Sequence, residues 1–128
     1  LTYLFISHDL NVVQYVSERV LVMYLGKVIE LGPVEEIYLR PQHPYTQALL
    51  ASRPSMDPDV KIERSPLVGD PPSPINPPAG CRFRTRCAFA ESVCENTEPK
   101  LTETNSAARH AVACHMLIPQ SGHSSACR

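Results

Sequence analysis

Four cysteines, Cys81, Cys87, Cys94 and Cys114, form the densest cluster of reactive side chains in the chain. Four thiolates can supply a complete shell for zinc or for an iron–sulfur cluster. Five and six residues separate the first three, and nineteen precede the fourth. Zinc knuckles usually enclose about two to four residues, and neither common ferredoxin spacing is matched. Spacing alone therefore says only that a metal could be held. Disulfides, buried free thiols, or a nucleophilic pair of Cys94 with His110 or His115 are the competing readings. For the last, nothing in the sequence positions a third group. Arg82, Arg84 and Arg86 interleave with the first two cysteines and would offset clustered thiolate charge.

A second centre of potential chemistry is His8. The run Leu1-Thr2-Tyr3-Leu4-Phe5-Ile6 is apolar, β-branched and aromatic, and stops on Ser7, His8 and Asp9. It reads as a strand buried on both faces, with the polar break at its carboxyl end. In open α/β sheets that end faces the ligand crevice. A lone strand-end histidine is more often a structural hydrogen-bonding group than a catalyst.

The elements that must position these groups follow in order. Asp9 is a suitable N-cap for a helix over 10–17, with Leu10, Val13 and Val16 on one face. Arg19 to Tyr24 reads as a strand, Leu25-Gly26 as a tight turn, and Lys27 to Leu31 as the returning hairpin strand. Pro33 is placed in the first turn of a helix that carries Val34, Ile37 and Tyr38 and that Pro41 terminates. His43-Pro44 starts another helix, which His43 would help cap. Tyr24, His43 and Tyr45 read as packing or surface residues. Arg53-Pro54 closes that helix and Asp57-Pro58 marks a further turn. Residues 69–78, rich in proline, should be extended and stiff. The segment between Glu95 and Arg109 reads as a polar loop returning to Cys114.

Twelve basic and thirteen acidic side chains give a net charge of −1, so no nucleic-acid partner is suggested. No apolar segment approaches the roughly 20 residues of a membrane span. Most of the thirteen prolines fall in the middle third, and all five cysteines lie after position 80. The chain thus divides into residues 1–52, a proline-rich linker at 53–80, a cysteine-rich extension at 81–116, and a disordered tail at 117–128. That tail carries His123 and Cys127, for which no specific role is expected. Opening without Met, inside a hydrophobic strand, the sequence reads as the C-terminal fragment of a longer protein.

Phe5-Ile6-Ser7-His8-Asp9-Leu10, then Arg19-Val20-Leu21-Val22-Met23, then Gly26-Lys27-Val28-Ile29-Glu30-Leu31-Gly32, resembles the end of an ABC-transporter nucleotide-binding domain. Pro41-Gln42-His43-Pro44-Tyr45-Thr46-Gln47-Ala48-Leu49-Leu50 narrows the resemblance to the ATP-binding subunits of oligopeptide and dipeptide importers. The resemblance extends to about Met116. It implies an α/β fold: the C-terminal part of a P-loop ABC domain plus a small Cys-rich extension. It implies that His8 is the switch histidine, near the γ-phosphate of ATP, where an imidazole can donate to developing phosphoryl charge. Ser7 and Asp9 are then backbone and capping residues.

The segment from Gly80 to Cys94, with His110-Ala111-Val112-Ala113-Cys114-His115, is similar to the C-terminal extension of these importers, which in some members holds a [4Fe–4S] cluster. The resemblance implies Cys81, Cys87, Cys94 and Cys114 as ligands, with His110 and His115 as neighbours, and favours iron–sulfur over zinc. A reducing compartment argues against disulfides. The implied cofactors are ATP and Mg. The implied partners are a second ATP-binding subunit, two permeases and, indirectly, a peptide-binding protein, at the cytoplasmic face of the membrane. The sequence contains no G-x-x-x-x-G-K-[ST] loop, so these residues alone are expected to be inactive. The rival readings are a non-enzymatic cysteine-rich metal module and a secreted disulfide protein.

Overall fold

The computed structural model describes residues 1–53, 67 and 69–126. The turn expected at Asp57-Pro58 and the tail cysteine Cys127 lie outside the described residues.

The hairpin is the centre of the fold. Strands β1 (Arg19–Tyr24) and β2 (Lys27–Pro33) pair antiparallel, with a bulge between Val22 and Met23. Leu25 and Gly26 join them with φ of 45° and 77°. Positive φ at both central residues gives the turn a twist that matches its strands, and glycine enters that region without a Cβ penalty. Helix α1 (Leu10–Val16) precedes the hairpin, and helices α2 (Val34–Leu39) and α3 (Pro44–Ala51) follow it. All three stand where capping residues and prolines put them. Asp9 accepts from the backbone N–H groups of Asn11 and Val12, and His43 accepts from that of Tyr45. Pro33 occupies the N-cap of α2.

Helix α4 (Ser92–Asn96) and strands β3 (Thr102–Asn105) and β4 (His110–Val112) come from the cysteine-rich half. Within the polar loop expected between Glu95 and Arg109, the end of α4 and β3 are regular structure and the rest is loop and turn. β4 pairs antiparallel with both β2 and β3, giving one four-stranded sheet in the order β1-β2-β4-β3. The sheet therefore crosses the boundary drawn at residue 80, and the two halves share one core. Val22, Tyr24, Ile29 and Ile37 from the first half enclose Phe83 from the second. Phe83 meets Tyr24 edge-on at 5.3 Å between ring centroids and Tyr45 at 5.5 Å, arrangements aromatic rings prefer. Tyr24 and Tyr45 are thus packing residues.

The expected parallel strand at residues 1–6 is not formed. These residues adopt no regular structure and are exposed, Ile6 at 89%. The sheet is wholly antiparallel, and no described strand lies beside them to satisfy their backbone groups. Residues 70–78 contain neither helix nor strand, as their prolines require. The stretch expected as a disordered tail folds back in part. A 3₁₀ turn occupies His115–Leu117. His123 is buried, its Nε2 lies 2.8 Å from the Phe89 carbonyl, and Ser124 N donates to Glu91 at 2.9 Å.

Candidate functional site

The four cysteines converge. Cys81, Cys87, Cys94 and Cys114 line one small pocket together with Phe89, His115 and Met116. None is in a disulfide. The local chain explains how they meet. Gly80, at φ 68°, turns the backbone into Cys81, and Cys81 N donates to the Cys94 carbonyl at 2.8 Å. A Cβ at Gly80 would collide with the Cys94 carbonyl and stand 2.7 Å from that of Glu95. Only glycine allows this approach of the loop to α4. Cys114 lies two residues past the end of β4, after Ala113, whose N–H donates to the Ile29 carbonyl at 2.8 Å, so the sheet carries the fourth thiol to the other three.

Burial is the main cause that raises the Cys81 and Cys87 thiol pKa values and pushes that of Cys114 up to about 11. The neighbouring thiols add to each shift. Backbone N–H groups oppose it: those of Phe83 and Arg84 at Cys81, Phe89 at Cys87 and Met116 at Cys114. Such donors favour a charged sulfur. Arg84 lines the thiol pocket with the four cysteines. Arg82 donates to the Leu25 carbonyl in the hairpin turn, and Arg84 to that of Ala79 at 3.0 Å while lying 3.6 Å from Glu95. Among the described residues, no group of three or more His, Cys, Asp or Glu side chains is arranged to hold a metal ion.

His8 stands alone. It is exposed, in the bend that precedes α1. Ser7 Oγ accepts from Asp9 N at 3.0 Å, so Ser7 and Asp9 play the backbone and capping roles expected of them. Helix α1 buries no residue; Val16 is 61% exposed. The helix is tethered by Tyr38 Oη donating to the Leu10 carbonyl at 2.5 Å, and by Arg53 reaching Asn11 and Gln14.

Sequence reasoning missed the most buried polar group. Glu30 and His110 are both fully buried, with His110 Nε2 2.8 Å from Glu30 Oε1. The same carboxylate accepts from Gln42 N at 2.8 Å and His43 N at 3.0 Å. With Nε2–H donating to the carboxylate, Nδ1 of His110 is the acceptor facing Gln42 Nε2 at 3.4 Å. This clasp ties β2, β4 and the start of α3 together. His110 therefore belongs to the clasp and does not line the thiol pocket. The available signal was Glu30 itself, an acid flanked by Val28, Ile29 and Leu31 in the strand. His43 is buried beside it, 5.6 Å from the Phe83 ring, and burial lowers its pKa to about 4. Neutral His43 accepts at Nδ1 from Tyr45 N, so its proton sits on Nε2. His115 donates through Nε2 to the Thr97 carbonyl at 2.9 Å, leaving a buried Nδ1 without a partner.

Comparison with known proteins places these features. The model of the family "Oligopeptide/dipeptide transporter, C-terminal region" matches residues 29–94, from the middle of β2 to Cys94. The oligopeptide transport ATP-binding protein AppF of Bacillus subtilis is 54% identical over 118 residues, covering 91% of this chain and 35% of that protein. The oligopeptide transport ATP-binding protein OppF of Salmonella typhimurium is 50% identical over 121 residues, covering 93% of this chain and 35% of that protein. The dipeptide transport ATP-binding protein DppF of Haemophilus influenzae is 50% identical over 103 residues, 80% of this chain and 32% of that protein. The chain spans about a third of the length of the curated relatives it matches. With the family model matching just over half of its residues, the chain belongs to the oligopeptide/dipeptide transporter C-terminal region family.

Proposed function

We propose that this chain is the C-terminal part of the ATP-binding subunit of a peptide-importing ABC transporter. The observation that carries the reading is identity of 50% or more, over 80% or more of the chain, to proteins named as oligopeptide and dipeptide transport ATP-binding proteins. The whole subunit would hold ATP and Mg, pair with a second ATP-binding subunit and dock on two permeases fed by a peptide-binding protein. It would sit peripherally at the cytoplasmic face. Among the described residues no helix is long and apolar enough to cross a membrane. The reading as a freestanding cysteine-rich metal module draws no support from the relatives.

In this assignment His8 ends the first segment as the γ-phosphate-facing imidazole, and its exposure leaves it open to a group supplied from elsewhere in the assembly. The test is ATP turnover by the intact protein in its transporter, with His8→Ala compared to wild type. Loss of a group that stabilises transition-state charge should lower turnover by about 10²-fold or more, with nucleotide binding nearly unchanged. Retained turnover would overturn the role of His8.

Cys81, Cys87, Cys94 and Cys114 are assigned to a [4Fe–4S] cluster. The donor set suits it: four thiols on one pocket, three of them receiving backbone N–H groups at sulfur. When bound, the group supplies metal–sulfur bonds that staple the 81–94 loop to the end of β4. Anaerobically purified intact protein should contain iron and acid-labile sulfide in near-equal amounts. Stoichiometric zinc without sulfide would sink the assignment.

A further inference from the structure

A cavity of about 460 Å³ opens between the start of β2, the loop at Gly80 to Phe83, and the strap 98–101 that leads into β3. That volume falls in the range of roughly 300–1,000 Å³ typical of small-molecule sites. Its floor is apolar, formed by Val28, Ile29, Phe83 and Ala113, while Leu101 stays 42% exposed at the mouth. Its rim is charged and unbalanced. Lys27 and Glu98 pair at 2.7 Å and largely cancel. Arg82 commits one terminal nitrogen to the Leu25 carbonyl, and its remaining N–H groups are still donors. Lys100 is exposed and makes no ion pair among the described residues. An apolar floor under a rim of three cations, Lys27, Arg82 and Lys100, and one carboxylate, Glu98, selects a ligand with an apolar body and one negative end.

We propose that this cavity binds an amphiphilic monoanion. Its chain lies over Val28 and Leu101, and its carboxylate faces Arg82 and Lys100. A fatty acid and the C-terminal carboxylate of a short apolar peptide share that chemistry. His8 does not enter the argument, and Cys81, which lines this cavity as well as the thiol pocket, supplies none of the contacts invoked, so the proposal stands apart from the transporter assignment.

Calorimetric titration of the intact protein with decanoate, N-acetyl-trileucine and decanol tests it. At least one of the two anions should bind with a Kd below about 100 μM, and decanol about tenfold more weakly than the better anion, a difference of 1.4 kcal/mol. Lys100→Glu should weaken the anion by about tenfold and leave decanol unchanged, and Leu101→Asp should weaken both by about tenfold or more. Both side chains are exposed, so neither change threatens the fold. Binding of decanoate alone supports the proposal with a lipid-derived ligand, and binding of the acetylated peptide alone supports it with a peptide. Decanol binding as tightly as decanoate, no titration by either anion below 1 mM, or indifference to both substitutions would overturn it.

Discussion

Residues 1–17 and strand β4 are opposites. The first stretch is long and apolar at its start, and none of its residues is buried. β4 is three residues with a histidine at its head, and all three are buried. Hydrophobicity would rank them the other way. What separates them is pairing: β4 sits between β2 and β3, while no described strand lies beside residues 1–6. A backbone segment can leave water only where its N–H and C=O groups find partners. Among the described residues, burial follows the availability of a neighbouring strand, and side-chain character then fills the interior.

If pairing and its clasp hold the cysteine half, removing the clasp is the largest single blow. Glu30→Ala would leave His110 and the Gln42 and His43 N–H groups buried without an acceptor. Each buried donor left without an acceptor costs about 1–3 kcal/mol. Hydrogen exchange in β2 and β4 should accelerate accordingly, with α1 unaffected. Unchanged exchange in β4 would show that the thiols alone anchor it.

Acid sharpens the same contrast. The fold holds His43 neutral, with its pKa at about 4 against 6.5 for the free side chain. Above pH 6.5 both folded and unfolded chains carry it neutral and the stability is complete. Between pH 6.5 and 4 the unfolded chain takes up a proton that the folded one refuses. Stability then falls by about 1.4 kcal/mol per pH unit, roughly 3 kcal/mol in all. His43→Gln should flatten that slope when unfolding is followed by denaturant titration across the range. A slope that survives the substitution would place the titrating group elsewhere.

The first stretch should respond weakly. Asp9→Ala removes the N-cap of α1 and costs about 1 kcal/mol of helix stability. Faster exchange should be confined to residues 10–16, because that helix buries nothing. Propagation into β1 would mean that α1 is tied to the sheet more firmly than its tethers indicate.

The same division governs how much was legible in the sequence. The hairpin announced itself through Leu25-Gly26, and the helices through Asp9, Pro33, Pro41 and His43-Pro44, because local backbone chemistry fixes each of them. β3 and β4 are too short and too mixed in character to show a period of two. They exist because β2 offers an edge and Glu30 a partner for His110. The run at 1–6 had the composition of a strand, but composition cannot provide a neighbour. The four thiols were legible as a set and their common pocket was not, since Gly80 and the β2–β4 pairing bring them together. His123 looked like a tail residue because its acceptor, the Phe89 carbonyl, is 34 positions away.

The contact between β2 and β4 spans 80 residues of chain. The β1–β2 hairpin can close within about 1–10 μs, so β4 docks onto a finished template late in folding. The cost of closing so long a loop grows only with the logarithm of its length. Doubling the intervening chain would add about 0.6 kcal/mol. A change in the length of the connection between α3 and Gly80 should therefore cost little in loop closure itself. Connection length is thus a weak constraint on this fold, and the register of β2 against β4 is the strong one, because it delivers the thiol pocket.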